Sequence, residues 1–335
     1  LAWWLVLTGA VTLWWLIPLL LLGGYIFSFL PFIETASATT GVTSLINVLR
    51  GTSSWISFLP VDGKPWIPAA FDQATVPWLV VATALVAALG LTGAVRRGTP
   101  ERAFLALCVL TGVFVITAGH VHDLAHPWAE QVRALFDGPL APLRNLHKFD
   151  ALVRLPIALG IAALPTAGPV RVRKPAMAVS AGLLTLTLVP VATGGVTPSG
   201  AFPDIPMYWR EAATWLNRNV GSGMVLVMPG AARGEYLWGR PLDEPMQSLL
   251  KVRWATHTNV PWGSPGIARL IQAIDERFAN GRGSPGLTAV LRRIGVTHLL
   301  IRNDIDREKI GTAWPARIHQ ALEDSGLTRT AEVGP

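Results

Sequence analysis

Gln73–Val95 reads QATVPWLVVATALVAALGLTGAV and is followed at Arg96–Arg102 by RRGTPER. That is 23 residues without a charge, then three arginines against one glutamate. A helix that crosses a bilayer needs about 20 mostly apolar residues, and short cytoplasmic loops collect Lys and Arg. The stretch therefore predicts a span that ends in a cytoplasmic loop. Residues 1–33, 103–122, 155–170 and 175–203 are also uncharged. Five runs predict five spans, the short fourth one drawing on Ala151–Val153 or ending early. Buried core helices are the alternative, but soluble cores rarely string five such runs together.

The whole composition agrees. Of 335 residues, 51% are hydrophobic and 15% charged, against about 25% charged in soluble domains; mean hydropathy is +0.42. Disorder is excluded. A single cysteine, Cys108, excludes a disulfide framework and multi-cysteine metal sites. The first run lacks a basic leader and carries Trp3, Trp4, Trp14 and Trp15, which suit a membrane interface better than a signal peptide. The chain opens at Leu1 inside an apolar run and is read as part of a longer protein.

Charge sets the expected sidedness. The two tight connections hold Arg96, Arg97 and Arg102, then Arg171, Arg173 and Lys174; both are placed in the cytoplasm. The longer, mixed connections 24–76 and 120–154 are placed outside. The expected domains are therefore 1–196, a transmembrane region with those two external loops, and 197–335, an extracytoplasmic α/β domain. This tail carries 16 Lys+Arg and 13 Asp+Glu, a soluble balance. The net +7 needs no nucleic acid to explain it, and no RNA-binding signature or basic aromatic stripe is present.

Within the tail, Met207–Asn219 has helical spacing, Met224–Met228 and Val296–Ile301 read as buried strands, and Ile267–Phe278, Leu287–Ile294 and Ala316–Asp324 read as helices. Ser264 and the second Ser-Pro-Gly at Ser284 are helix starts. Alternating strands and helices predict at least two parallel strands. MPGAARG after the first strand lacks the Gly-Lys-Ser/Thr ending of a phosphate loop. Asn303-Asp304-Ile305-Asp306 lacks EF-hand spacing and reads better as a helix start than as a cation site. Tyr236, Trp238, Trp254 and Trp262 are candidate sugar-stacking faces; core packing is the alternative.

In the first external loop, 43–50 reads as a short surface helix, with Arg50 and Trp55 at headgroup depth. In the second, His120, His122, Asp123 and His126 do not match HExxH spacing, and no metal site is expected. Arg144, His147, Lys148 and Arg154 sit just before an apolar span. Charges at that depth usually face a cavity or each other, so these are candidates for holding a phosphodiester, with His147 or Asp150 available for proton transfer. Snorkelling, or pairing of Asp150 with Lys148 or Arg154, is the competing explanation.

Several stretches carry a resemblance. These are Trp14-Trp15, Pro18–Gly23, Phe29-Leu30, Glu34–Ala36, Thr39-Thr40, Leu49–Gly51 and Trp55, then LRNLHKFD (Leu143–Asp150) with Arg154–Pro156. GEYLWGRPLDEP (Gly234–Pro245), VPWGSPG (Val260–Gly266) and GVTHLLIRNDID (Gly295–Asp306) complete them. Together they resemble the mycobacterial membrane arabinofuranosyltransferases of the D type, the α-(1→3) enzymes of cell-wall arabinan synthesis. The resemblance implies a polytopic glycosyltransferase of the C superfamily (GT-C) in the plasma membrane, working at its outer face. It implies decaprenyl-phosphoryl-arabinofuranose as donor and arabinogalactan or lipoarabinomannan arabinan as acceptor, with no cofactor. Arg144 and Lys148, with His147 and Arg154, are then the donor-phosphate candidates. Glu34, Arg50, Trp55, Tyr236, Trp238, Trp254 and Trp262 are the acceptor candidates. The family's catalytic carboxylate is expected upstream of Leu1, so no residue here inherits the base. The resemblance also implies an acyl carrier protein at the basic cytoplasmic loops, which anionic membrane lipid would suit as well and which ordinary positive-inside topology explains without any partner. Competing classes are a non-catalytic, membrane-anchored glycan-binding scaffold, another polyprenyl-phosphate-sugar transferase such as a mannosyltransferase, and a transporter. The last predicts inverted repeats, and none is visible.

Overall fold

The structure, a computed structural model, describes residues 2–22, 34–61, 63–164, 170–258, 260 and 263–334. The chain divides at Ala201/Phe202 into two compact units, Glu34–Ala201 and Phe202–Pro335, the N-terminal segment being grouped with the second.

Each uncharged run carries one long apolar helix: α1 (Ala2–Leu22), α5 (Pro77–Val95), α6 (Arg102–Thr117), α8 (Ala151–Ala163) and α9 (Val170–Ala192). Among the described residues, two are long and apolar enough to cross a membrane, Pro77–Val95 and Arg171–Ala192. Two of the five expected spans are thus present at full length among the described residues. At 1.5 Å per residue, 16-residue α6 reaches only about 24 Å and 13-residue α8 about 20 Å, against a hydrocarbon core of about 30 Å. α6 and α9 nevertheless present apolar side chains outward, with Leu107, Leu110, Phe114, Met177 and Leu188 each more than half exposed.

A second departure concerns Arg171, Arg173 and Lys174. They were expected in a loop, yet they lie in the first turns of α9. Arg and Lys form helix readily; their charge argues against membrane depth, not against helix.

Four short helices fill the connections: α2 (Ala36–Thr40), α3 (Leu45–Arg50), α4 (Pro68–Thr75) and α7 (Ala129–Phe136). A two-residue hairpin, β1 (Pro60–Val61) with β2 (Lys64–Pro65), joins them. Their apolar residues meet those of the long helices in one core, Val48, Ala87, Ile116, Phe136, Leu146, Val153 and Ile157. α5 and α8 approach so closely that Gly90, Gly93 and Gly160 have backbone where a side chain would stand.

The second unit is a parallel three-stranded sheet, order β6 (Arg253–Thr256), β3 (Met224–Met228), β7 (Val296–Ile301). Leu226 pairs with Ala255 on one side and Leu299 on the other. One face of the sheet packs α10 (Met207–Asn219) and α11 (Met246–Leu249) through Trp209, Leu216, Val225, Val227 and Met246. The other packs α12 (Pro265–Ala279), α13 (Pro285–Arg293) and α15 (Pro315–Asp324) through Leu226, Ile274, Phe278, Leu291 and Ala321. Ser284 caps α13, accepting from Leu287 N at 3.2 Å. A hairpin of β4 (Gly234–Tyr236) and β5 (Gly239–Leu242) and the short α14 (Arg307–Ile310) complete the unit.

Candidate functional site

The two long connections of the Glu34–Ala201 unit, 34–76 and 120–154, fold onto each other. Thr35 caps α2, and the α2 amide of Ala36 donates to Asp137 Oδ1, 2.7 Å away at the end of α7. The same oxygen lies 3.5 Å from Arg144 Nη1. Arg144 is only 3% exposed, and its Nη2 is buried without a partner. Beside it, Asn145 bridges the loops: Nδ2 donates to Glu34 Oε1 at 2.6 Å, and Oδ1 accepts from Trp55 Nε1 at 3.1 Å. The 3-10 turns Ala141–Leu143 and Leu146–Phe149 flank Arg144 and Asn145 and hold both side chains inward.

The four phosphate candidates separate into two pairs. Arg144 and Arg154 point into protein; His147 and Lys148 are exposed, Lys148 Nζ donating to Pro142 O at 3.2 Å. Arg154 stands 3.3 Å from Asp150, one of the pairings the sequence suggested, and also donates to Val48 O. It can do so because Gly51, at φ +83°, ends α3 in the left-handed region with the Arg154 guanidinium 3.0 Å from where a Cβ would be.

The Arg50 side chain turns into the protein rather than out to its surface. It is 9% exposed, donating from Nε to Thr83 Oγ1 at 2.9 Å and from Nη2 to Gln73 O at 2.6 Å. A short helix followed by a Gly turn folds the arginine inward to tie α3 to α4 and α5, so Arg50 is structural. Likewise His120 Nδ1 meets Thr40 O at 3.2 Å and His126 Nε2 meets Thr117 Oγ1 at 3.2 Å. Among the described residues no three metal-ligating side chains converge.

In the second unit, Tyr236 is 2% exposed and Trp238 stacks on it at 5.0 Å, 10° between planes. One carboxylate oxygen, Asp304 Oδ2, accepts from Tyr208 Oη (2.8 Å), Trp209 Nε1 (2.8 Å) and Trp238 Nε1 (2.9 Å). Tyr236 is therefore core, while Trp238 is half-buried, with one face covered by Tyr236 and its Nε1 held by Asp304. Asp306 caps α14, as a helix start should. Trp254 is half-buried, and Trp262 lies outside the described residues. Arg96, Arg97, Arg102, Arg171, Arg173 and Lys174 are all exposed.

The loop-bridging Asn145 and Asp137 were missed in the sequence, although Asn145 lies inside LRNLHKFD. Nothing local announces a partner 111 residues away.

A buried guanidinium with an unengaged nitrogen, two exposed ionisable groups on the next turn and a carboxylate–amide bridge thus come together in one corner beside apolar helices. A family model described as α-(1→3)-arabinofuranosyltransferase, N-terminal GT-C domain, matches residues 1–335. The chain belongs to this arabinofuranosyltransferase family. It is 37% identical over 353 residues to the α-(1→3)-arabinofuranosyltransferase of Mycolicibacterium smegmatis and 36% identical over 356 residues to that of Mycobacterium tuberculosis. Each match takes in 99% of this chain and 25% of the relative, so the chain spans about a quarter of their length. The cryo-EM structure of the mycobacterial arabinofuranosyltransferase AftD superposes with a TM-score of 0.66 at 31% identity, over 96% of this chain and 21% of that one. The resemblance read from Trp14-Trp15, LRNLHKFD and GVTHLLIRNDID thus holds at family level. In that arabinofuranosyltransferase family the helix-rich Glu34–Ala201 unit is part of a membrane GT-C region.

Proposed function

We propose that this chain is part of a membrane arabinofuranosyltransferase whose external-loop corner receives the phosphate end of a lipid-linked donor, decaprenyl-phosphoryl-arabinofuranose. The observation that carries the reading is Arg144, buried, braced by Asp137 and with Nη2 unengaged. Lys148 and His147 are exposed on the adjacent turn. In transfer, the bond from the sugar C1 to the phosphate oxygen breaks, its electron pair stays on the phosphate, and an arabinan hydroxyl oxygen bonds to C1. Cations preorganised at the leaving oxygen in a low-dielectric corner would stabilise the charge that develops there. Glu34 and Trp55, joined through Asn145, suit the acceptor side. The acceptor proton goes to a base that none of these residues is assigned.

The same reading places the chain across the plasma membrane more than once, the corner and the Phe202–Pro335 unit outside. The exposed Arg96, Arg97, Arg102, Arg171, Arg173 and Lys174 then lie inside, against anionic lipid or an acidic partner such as an acyl carrier protein. Positive-inside charge supports this orientation.

The test is Arg144→Ala with Lys148→Ala in the full-length protein, assayed for transfer from the polyprenyl donor. Removing one such donor group typically costs about 100-fold or more, so a loss of at least that size is expected. Wild-type rates in the double variant would remove the corner from the reaction.

A further inference from the structure

The α/β unit has a cleft that this reading of the transfer site does not use. β3 and β6 are neighbours, yet the chain leaves β3 through α11 on one face of the sheet and leaves β6 through α12 and α13 on the other. Connections that diverge from adjacent parallel strands leave a crevice at the strands' carboxyl ends, where open α/β sheets bind their ligands. A cavity of about 1230 Å³ opens there, large beside the roughly 300–1,000 Å³ of small-molecule sites.

Its wall contains a buried ion pair. The Glu244 and Arg302 side chains are 8% and 2% exposed; Arg302 Nη1 donates to Glu244 Oε2, and the Tyr236 hydroxyl lies 3.1 Å from both. Glu244 Oε1 and Arg302 Nε are buried without a hydrogen-bond partner. Asp243, Gln247, Gln272 and the half-buried Trp254 line the same space.

This lining does not suit a phosphate. The amides after β3 that would cradle one are already engaged: Gly230 N donates to Asp275 Oδ1 at 2.7 Å and Ala231 N to His257 O at 3.1 Å. Gly230 is itself fixed by this arrangement, since a Cβ there would meet Asp275 and His257 at under 3 Å. Of the cations on the lining, Arg302 is paired with Glu244, Arg233 with Glu235 and His257 with Asp275, which leaves the exposed Arg269 opposite one further carboxylate of the lining, Asp243. Carboxylates and amides together accept from and donate to hydroxyl groups, and an indole edge or face covers the C–H surface of a sugar ring.

We propose that this cleft binds a neutral oligosaccharide, separately from the transfer corner. A glycan held here would keep a growing chain attached to the protein without taking part in the bond exchange.

The experiment uses the full chain in detergent micelles and titrates a tetrameric arabinofuranoside, read by saturation-transfer NMR and by tryptophan fluorescence. Saturable binding is expected, with Kd raised at least tenfold by Gln247→Ala/Gln272→Ala and by Trp254→Ala, and unchanged by Lys148→Ala. Both glutamines are exposed, so the double variant keeps its fold even if Trp254→Ala does not; amide-exchange protection of Val225–Val227 verifies this. Undiminished binding in the glutamine double variant, absence of saturable binding, or displacement of the sugar by an equal concentration of inorganic phosphate would each overturn the proposal.

Discussion

Gly160→Ala probes the tightest contact in the helical unit. A methyl at that position would stand 1.8 Å from the Gly90 carbonyl oxygen and 2.6 Å from the Ala94 amide nitrogen. Both obstacles are backbone, so no rotamer change relieves them. Ordinary contact begins at 3.4 Å, and α5 and α8 must therefore part by about 1.6 Å along that line. Overpacking a fitted interface costs about 1–3 kcal/mol, and two rigid backbone obstacles on α5 put this variant near the upper end, about 3 kcal/mol. For a unit of this size that lowers Tm by roughly 6–12 °C. The consequence extends to the proposed site, because α8 carries Arg154, whose guanidinium reaches Val48 O beside Gly51. Transfer by the full-length protein is expected to fall with the stability. The control is Gly182→Ala in α9, where a Cβ would meet nothing within 4 Å; removing a helix-interior glycine there should leave Tm equal or slightly higher. Thermal unfolding in one detergent, followed by tryptophan fluorescence, compares the pair. Equal Tm for Gly160→Ala and wild type would refute the close crossing and, with it, the placement of Arg154 by α8.

Three further outcomes follow from single contacts. Asn145→Leu removes the bonds to the Glu34 carboxylate and to Trp55 and should destabilise the loop corner by about 2–4 kcal/mol, one bond being to a charge; amide exchange at Ala36–Thr40 should speed up while that of β3 stays unchanged. Asp304→Ala leaves Tyr208, Trp209 and Trp238 without their shared acceptor and should cost at least about 3 kcal/mol, read as faster exchange throughout β3 and α10. Burial raises the Glu244 carboxyl above its ordinary 4.5, Arg302 pulling the other way. A raised native pKa favours the folded state below 4.5 and loses that contribution as pH rises through the native value. Glu244→Gln should thus flatten the decline in stability above pH 4.5, while lowering its level by about 3–5 kcal/mol because Arg302 stays buried unpaired. An unchanged slope in urea titrations across pH 4.5–8 would contradict the burial argument.

Much of the architecture is legible in the sequence because it depends on composition over many residues. Each uncharged run carries a helix, the fourth both opening at Ala151 and ending early at Ala163, and MVLVM and VTHLLI are parallel strands, the first buried as expected and the second mostly half-buried with Thr297 exposed. β6 escapes the same reading: Arg-Trp-Ala-Thr is four residues with no apolar run, and its strand character comes from pairing with β3. The hairpin of β4 and β5 is hidden by its prolines and charges; buried Glu235 takes Arg233 and Arg240 at 3.1 Å each, pairings no pattern encodes. Close packing is equally silent, since Gly90, Gly93 and Gly160 look like ordinary interruptions until the facing backbone is known.

The candidate site shows where such reading stops. Arg50, Arg144 and Arg154 all precede or enter apolar segments, and from sequence each could snorkel to water or turn inward. What decides is a partner far along the chain: Thr83 for Arg50, the carbonyl of Val48 for Arg154. For Arg144 the partner itself is near, Asp137 seven residues back, but Ala36 holds that carboxylate from the other loop. Only one of the three keeps a buried guanidinium Nη group unengaged, Arg144 at Nη2. A buried cation without a full set of acceptors is costly where water is scarce, and the proposed phosphate would complete the set for Arg144. That is why Arg144, and not the more exposed Lys148, is the residue on which the phosphate assignment stands or falls.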